Sequence, residues 1–250
     1  MKWMIAAVVV AGWSLVSPAG ASAQTADEVV EKHLAAVGGR AALAKITNQA
    51  ASGMVSIGAN GVELNGTVEV WRKTPNKSHS RLTLDLTAMG GTSMVVDQIC
   101  DGKTAVSKNS IQGDREITGD QLQGMLNAEF PSPLLAYKES GAKIELAGTE
   151  KVGPRSAHVL TYTPKTGPST RLYFDTETFL ILKSVAKVNM PEAGGEIEQV
   201  TETSDYREVA GVKAPFLIRS SSPLQTVLIK LSKIECNAAL DEGLFSRDGK

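Results

Sequence analysis

One short stretch of this chain has the residue types of a nucleotide site. Asp101-Gly102-Lys103-Thr104 contains the tail of a phosphate-binding loop. The full motif needs a glycine five residues before Gly102, where the chain has Asp97, and no helix is predicted to follow that could hold a phosphate at its N-terminus. We therefore interpret the stretch as a hairpin turn between two strands.

The histidines do not form a metal-binding pattern. The chain has His33, His79 and His158, and none of them has a His, Cys or carboxylate partner at metal-ligand spacing. No His-Glu-x-x-His occurs either. His33 is predicted to pack within the first helix. The sequence predicts no metal and no cofactor.

Serine and acidic residues give no hydrolase signature. The chain lacks the Gly-x-Ser-x-Gly elbow, and Ser220-Ser221-Ser222 is interpreted as the exit of a strand before Pro223. Glu196 and Glu198 share one strand face and could form a carboxylate pair for glycoside chemistry. Because acidic residues alternate with apolar ones there, a solvated face explains them better. We expect no catalytic residues and no enzyme.

Two cysteines, Cys100 and Cys236, leave two alternatives open. A disulfide between them would close a long loop and stabilise an exported protein by roughly 4–5 kcal/mol. Alternatively, both are buried free thiols, since cysteine is among the most buried residues.

Residues 1–23 have the pattern of a secretory signal peptide. Lys2 precedes an apolar run over residues 5–16, and Ala21-Ser22-Ala23 forms a small-residue cleavage site. The run is too short for a spanning helix, and no other run reaches about 18 residues. We expect cleavage after Ala23 and a periplasmic mature chain, residues 24–250, that does not span the membrane. With 26 basic and 27 acidic side chains scattered along the sequence, no nucleic-acid footprint is predicted.

The hydrophobic pattern predicts helices followed by many strands. Thr25 and Glu28 form a capping box that begins a helix, which Gly38-Gly39 ends, and a shorter helix is predicted over residues 40–46. The period then changes from about 3.6 to 2. The first series of strands has an Asn60-Gly61 hairpin and covers residues 54–58, 62–70, 81–86, 94–100 and 104–107.

A central interruption and a second series of strands follow. A helix is predicted over residues 119–128 and a helical turn over residues 134–138. Regularly spaced strands with turn signals predict a barrel, a half-barrel or a sandwich, here in one domain. The second series covers residues 143–152, 157–163, 170–175, 180–188, 196–206, 212–220 and 227–235.

Some of these strands are apolar on both faces. In the last one, Val227, Ile229 and Leu231 share one face, and Leu228 and Ile234 are predicted on the other. Such strands need a cover on both faces, or one face lines a cavity. An ordinary core between sheet and helices and a ligand cavity are the two interpretations.

Several motifs, taken in their order along the chain after the predicted signal peptide, resemble the LolA-like family of outer-membrane lipoprotein-sorting proteins. The family resemblance covers most of the chain after residue 23 in element order. Its sharper parts are Trp71-Arg72-Lys73-Thr74-Pro75-Asn76, Asp101-Gly102-Lys103-Thr104, Gly119-Asp120, Phe130 to Tyr137, Phe174-Asp175-Thr176-Glu177-Thr178, and Asp205-Tyr206-Arg207 with Gly211-Val212 and Pro215.

The resemblance implies a mainly β fold, a single curved antiparallel sheet forming an incomplete half-barrel, covered by N-terminal and central helices. It also implies an apolar cavity between sheet and helices for an acylated lipoprotein or another hydrophobic ligand. If the strand faces alternate as predicted, the sheet side of the cavity comprises Val68, Val70, Leu82 and Leu84, and the cover side Met125, Leu126, Phe130 and Leu134.

This chain departs from the family pattern at the residue that latches the lid. Carriers of this family have an arginine immediately before the motif proline, and this chain has Thr74. Arg72 shares the strand face of Thr74 and is the predicted latch residue instead.

The leading hypothesis is a monomeric periplasmic carrier or binding protein with inner- and outer-membrane protein partners. A periplasmic interaction or sensor module on the same fold, without a transported ligand, is the alternative. An enzyme ranks last, because no nucleophile or metal cluster is present.

Overall fold

The structure, a computed structural model, describes residues 24–190 and 195–247. The predicted signal peptide, residues 1–23, lies outside the described residues. No helix in the described ranges is long and apolar enough to cross a membrane. The α-helices are α1 (Ala26–Ala36), α2 (Arg40–Leu43) and α3 (Gly119–Asn127), and two short 3-10 helices cover Thr87–Met89 and Glu242–Phe245.

The strands form one antiparallel sheet, which confirms the predicted mainly β fold. Its strands are β1 (Asn48–Ala59), β2 (Val62–Lys73), β3 (Lys77–Asp85), β4 (Ser93–Cys100), β5 (Ala105–Asn109), β6 (Arg115–Ile117), β7 (Lys143–Val152), β8 (Arg155–Thr163), β9 (Thr170–Asp175), β10 (Ile181–Met190), β11 (Gly195–Val209), β12 (Val212–Ser221) and β13 (Thr226–Cys236).

The chain enters this sheet in the middle and leaves it in the middle. The order of the 13 strands is β6-β5-β4-β3-β2-β1-β13-β12-β11-β10-β9-β8-β7. From β1 the chain runs outward to one edge at β6, crosses to the other edge at β7, and returns inward to β13. The sheet is curved and not closed, so of the predicted architectures the incomplete half-barrel is correct.

Two local predictions need correction. Strand β6 was not predicted, because its three residues are too few to show an alternating pattern. Residues 134–138 form consecutive turns rather than a helical turn, with Leu135 N–H bonded to the Ser132 carbonyl at 3.2 Å. The turns allow Leu134 and Tyr137 to be buried at 2% and 5% exposure.

Helix α1 is fixed at both its start and its buried face. The predicted capping box is present, with Glu28 N–H donating to Thr25 Oγ1 at 3.2 Å and Thr25 N–H donating to Glu28 at 2.9 Å. Val29, Val30 and Leu34 are buried. His33 is buried as well, and its Nδ1 donates to the Phe179 carbonyl at 2.9 Å. The hydrogen bond anchors the helix to the β9–β10 turn.

Two glycines let the sheet bend toward its inner face, the face that carries Val55 and Val68. A Cβ on Gly53 would lie 2.2 Å from the Lys230 carbonyl oxygen, and one on Gly66 would lie 2.0 Å from that of Thr83. Neighbouring backbones therefore approach more closely than a side chain permits. Val55 and Val68, the next inward residues after these glycines, pack together on the inner face.

The pairing of β1 with β13 joins the two series of strands. It runs from Gln49 opposite Cys236 to Gly58 opposite Thr226, with a register shift between Ser52 and Gly53. Because Ser232 is the extra residue there, Ile234 lies on the same face as Leu231 and packs in the same cluster. The predicted opposite face for Ile234 is therefore wrong.

We predict that Gly53→Ala destabilises the protein at the pairing of β1 with β13, which we call the seam. The added methyl has no space beside Lys230, so the free energy of unfolding should fall by about 1–3 kcal/mol in urea titrations. Gly58→Ala is the matched control, since it lies in the same strand with no atom within 4 Å of the added Cβ. Equal unfolding midpoints for the two variants would contradict the close approach.

Candidate functional site

The structure distributes the eight predicted cavity residues over three clusters. Val68 and Leu84, both 2% exposed, pack with Val55, while Val70 and Leu82 are half-buried beside them. The four residues predicted on the cover side belong to two other clusters, separate from the cluster of Val55, Val68 and Leu84. Met125 and Leu126 pack near β4–β6, and Phe130 and Leu134 pack near α1.

One part of the inner face lies under a tightly packed cover, which we call the N-terminal cover. It consists of α1 and residues 130–137. Its side chains pack on the strands β8 and β9 in a cluster that is almost fully buried, and Leu160 and Phe174 there are 0% exposed. Tyr137 Oη and Lys138 Nζ both bond to Asp27 on α1, the latter at 2.6 Å. Apolar packing and hydrogen bonds therefore hold this cover in place.

Helix α3 forms a second cover that packs more loosely. None of its residues is buried. Leu122, Met125 and Leu126 lie partly buried against Cys100, Ala105 and Ile117 of β4–β6. Because α3 links the strand edges and buries little apolar surface, its position depends largely on polar contacts.

The polar contacts of α3 come from residues that the sequence did not identify. Asn76 Nδ2 donates to the Leu126 carbonyl at 3.3 Å. Asn127 Nδ2 donates to the Thr166 carbonyl at 2.7 Å, and Thr166 Oγ1 donates to Gln123 at 3.2 Å. A weak signal existed, since Gln123 and Asn127 are four residues apart and so share one face of the predicted helix.

One row of inner-face residues runs from one cover to the other, and its middle part is accessible to solvent. Register pairing places Cys100, Ser78, Arg72, Gln49 and Cys236 side by side on successive strands. Cys100 is 0% exposed beneath α3, Ser78 and Gln49 are half-buried, and Arg72 is exposed. Arg72, the predicted latch, makes no side-chain hydrogen bond or ion pair within the described part of the chain. Asn76 makes the bond to α3 instead.

The same row separates the two cysteines. Cys100 and Cys236 are four strands apart, roughly 19 Å along the sheet, whereas a disulfide needs Cα atoms within about 7 Å. Both are free thiols, so the free-thiol alternative is the one present. Burial raises the pKa of both thiols, which keeps them protonated and unreactive near neutral pH.

The remaining sequence candidates have structural roles. Asp101 accepts from the Lys103 and Thr104 N–H groups, each at 2.8 Å, which confirms the predicted hairpin turn. Glu196 and Glu198 are exposed, and Glu196 pairs with Lys187 at 2.8 Å. No group of three or more metal-ligating side chains occurs in the residues that the structure describes.

An open cleft of about 430 Å³ lies between the β1–β2 and β12–β13 turns. Turn residues 58–63 and 222–226 line it, and no predicted site residue is among them. The lining has a single charged side chain, Glu63, and no enclosing wall of apolar residues. It therefore lacks the convergent groups that fix a small ligand.

A buried titratable cluster lies on the outer face. His79, 4% exposed, contacts Asp97 through Nε2 at 2.8 Å, and Arg81 Nε donates to the same oxygen at 2.8 Å. Burial would raise the pKa of Asp97, but the hydrogen bonds from Arg81 and His79 outweigh it and lower that pKa below 3.8. The C-terminal segment crosses this face, with Glu242 3.0 Å from Lys77.

We predict that the Asp97 cluster stabilises the fold above pH 4 and loses this effect in acid. The folded-state pKa lies below the unfolded value, so the stability is lost as the pH falls through the folded pKa. Asp97→Asn should lower the free energy of unfolding by about 1–3 kcal/mol at pH 7 and flatten its acid dependence. Glu69→Gln, exposed opposite Arg81, is the control and should change little. An unchanged acid dependence in Asp97→Asn would contradict this assignment.

Comparison with solved structures gives matches over most of the chain. A DUF1329 family protein from Desulfovibrio piger is 14% identical, with a TM-score of 0.58 over 89% of this chain and 98% of that one. A LolA superfamily protein from Nitrosomonas europaea is 13% identical, with a TM-score of 0.58 over 90% and 99%. A domain assigned to outer membrane lipoprotein sorting, from Vibrio parahaemolyticus, is 10% identical, with a TM-score of 0.54 over 88% and 96%.

Comparison with protein-family models and with curated protein sequences gives no match. The likeness is therefore one of architecture, an open antiparallel sheet with helices on its inner face. On these grounds the chain shares its fold with these solved structures, among them the LolA superfamily protein from Nitrosomonas europaea.

Proposed function

We propose that this protein is a periplasmic carrier or binding protein for an acylated lipoprotein or another hydrophobic ligand. The observation that carries the proposal is the apolar inner face of β1–β4 and β13, which stays partly accessible between two covers. The half-buried side chains there include Val70, Leu82, Met94 and Ile229. One of the structural neighbours is a domain assigned to outer membrane lipoprotein sorting, which supports the same class of function.

The physical basis is transfer of methylene groups from water to this face. Each buried methylene contributes about 0.8 kcal/mol, so a single acyl chain can bind without a charged contact. The aliphatic residues of the inner face provide this surface in the structure as it stands.

The loosely packed α3 provides a route for loading and release. Its polar contacts through Asn76, Asn127 and Thr166 can exchange for water at small net cost in free energy. The N-terminal cover cannot move as easily, because its apolar cluster is fully buried. We propose that α3 moves while α1 stays.

Cellular placement follows from the same proposal. Export through the predicted signal peptide, residues 1–23, would place the chain in the periplasm, where inner- and outer-membrane proteins would donate and accept the ligand. We propose one monomeric domain over residues 24–250.

A protein-interaction module is the second candidate. Val55, Val68 and Leu84 are each 2% exposed, so this part of the inner face is a packed core. For an interaction module, the curved sheet serves as a scaffold, and the helices cover it permanently. The two candidates differ in whether the half-buried residues ever contact a ligand.

We predict that Leu82→Glu weakens binding of a diacylated lipopeptide at least tenfold, because the chain would have to desolvate the new carboxylate. Leu82 is half-buried, so the carboxylate can be hydrated and the fold should persist. Thr83→Glu, on the opposite face of β3, is the matched control and should bind normally. Native mass spectrometry of detergent-free protein measures both.

Leu82→Ser serves as a milder variant if Leu82→Glu does not fold, and it should lose binding less. Equal binding by the Leu82 and Thr83 variants would contradict the inner-face site. Failure of the unmodified protein to bind any acylated probe would favour the interaction module.

A second prediction tests the movement of α3. A Cβ on Gly167 would lie 3.3 Å from the Gln123 Cβ, so the double variant Gln123→Cys/Gly167→Cys can form a disulfide. Oxidation should slow ligand loading at least tenfold, and reduction should restore it. The single variant Gly167→Cys is the control, because Gly167 has a φ of +95° and its substitution alone strains the turn. Equal loading rates in both redox states would show that α3 does not gate the site.

A further inference from the structure

The inner face of the sheet has a single charged residue over its central strands. Strands β1–β4 and β13 lie wholly within the described ranges, and their inward positions follow from the register. These positions are apolar or neutral except for Arg72. The charged residues of the same strands, such as Glu69, Arg81 and Asp97, lie on the outer face.

Arg72 also has no protein partner. No carboxylate, carbonyl or aromatic ring in the described part of the chain contacts its guanidinium. The surrounding protein lowers the pKa of Arg72 through desolvation, although the side chain keeps accessible surface. Arg72 is thus an exposed guanidinium on the inner face, without a partner in the described residues.

The neighbours of Arg72 suit an amphiphile. Gln49 and Ser78 lie directly opposite it on the two flanking strands, which places polar hydrogen-bonding groups on either side. Along the strand, Val70 is the next inward residue and lies opposite Ser80 on β3, and Leu82 follows Ser80 on the same face, opposite Val68. A polar end and an apolar surface thus meet at this point.

An unpaired guanidinium beside an apolar face is free to bind an anionic group of a ligand that packs on that face. A side chain that only extends to water at the end of β2 would explain its exposure. That explanation predicts no preference between charged and neutral ligands.

We propose that Arg72 binds the anionic head group, a carboxylate or a phosphate, of an amphiphile whose apolar chain packs on Val70 and Leu82. This inference rests on the proposed binding of hydrophobic ligands and adds the chemistry of the head group. The planar guanidinium offers two parallel N–H donors that match either oxyanion. Gln49 and Ser78 add neutral hydrogen bonds.

The test compares three probes of equal chain length by calorimetric titration of the chain without its signal peptide, after removal of lipid. Dodecanoate, dodecyl phosphate and dodecanol differ only in the head group. We expect the unmodified protein to bind at least one anion about 10- to 100-fold more tightly than dodecanol. The tighter of the two anions identifies carboxylate or phosphate as the natural head group.

The variants separate head-group binding from the apolar site. Arg72→Gln should remove the preference for the anion and leave dodecanol binding unchanged. Arg72→Lys should retain part of the preference as a point charge. Arg219→Gln is the control for net charge, since Arg219 is exposed on the outer face of β12. It should behave like the unmodified protein.

Each outcome decides between the two proposals. Equal binding of dodecanol and both anions, unchanged in Arg72→Gln, would overturn the role of Arg72 and leave the hydrophobic site intact. Equal losses in Arg72→Gln and Arg219→Gln would overturn it too, because they would indicate a net-charge effect. No binding of any probe to the unmodified protein would overturn the proposed function itself. Thermal unfolding of each variant shows whether it is folded.

Discussion

The pairing of β1 with β13 is the interaction on which the rest of the structure depends. It joins the first strand of the chain to the last, and without it the two series of strands would be separate meanders. The seam places the two unpaired edges, β6 and β7, at opposite ends of the sheet. The chain between them has to cross the inner face, and α3 and the N-terminal cover lie along this route.

The bend at the seam creates the environment of the inner face. Gly53 and Gly66 allow backbones to approach within distances that exclude a Cβ, so the side chains beside them converge. Val55, Val68 and Leu84 close one end of the face as a packed core. At the other end the two covers leave a gap around Arg72, and the half-buried Val70 and Leu82 lie between this gap and the packed core.

Charge is distributed unequally between the two faces. On the outer face each buried charge has a partner, as Asp97 has Arg81 and Asp175 has Arg155 at 2.6 Å. Such pairs maintain the fold and offer no open site. The inner face of the central strands has Arg72 alone, without a partner. A paired charge stabilises the protein, whereas an exposed and unpaired one on an apolar face suits the binding of an anionic group that we propose.

Local patterns determined the elements, and only the tertiary structure determined the site. The capping box at Thr25, the Asn60-Gly61 hairpin and the period of the strands depend on neighbouring residues, and the sequence predicted them correctly. It predicted the inward faces of β2 and β3 for the same reason. The bulge at Ser232, the separation of Cys100 from Cys236 and the bond from Asn76 to Leu126 depend on partners far along the chain. Register across the seam sets these contacts, because a shift of one residue moves every later side chain to the other face. Alternation alone placed Arg72 on the inner face, but its lack of a partner is a property of the folded sheet and its covers.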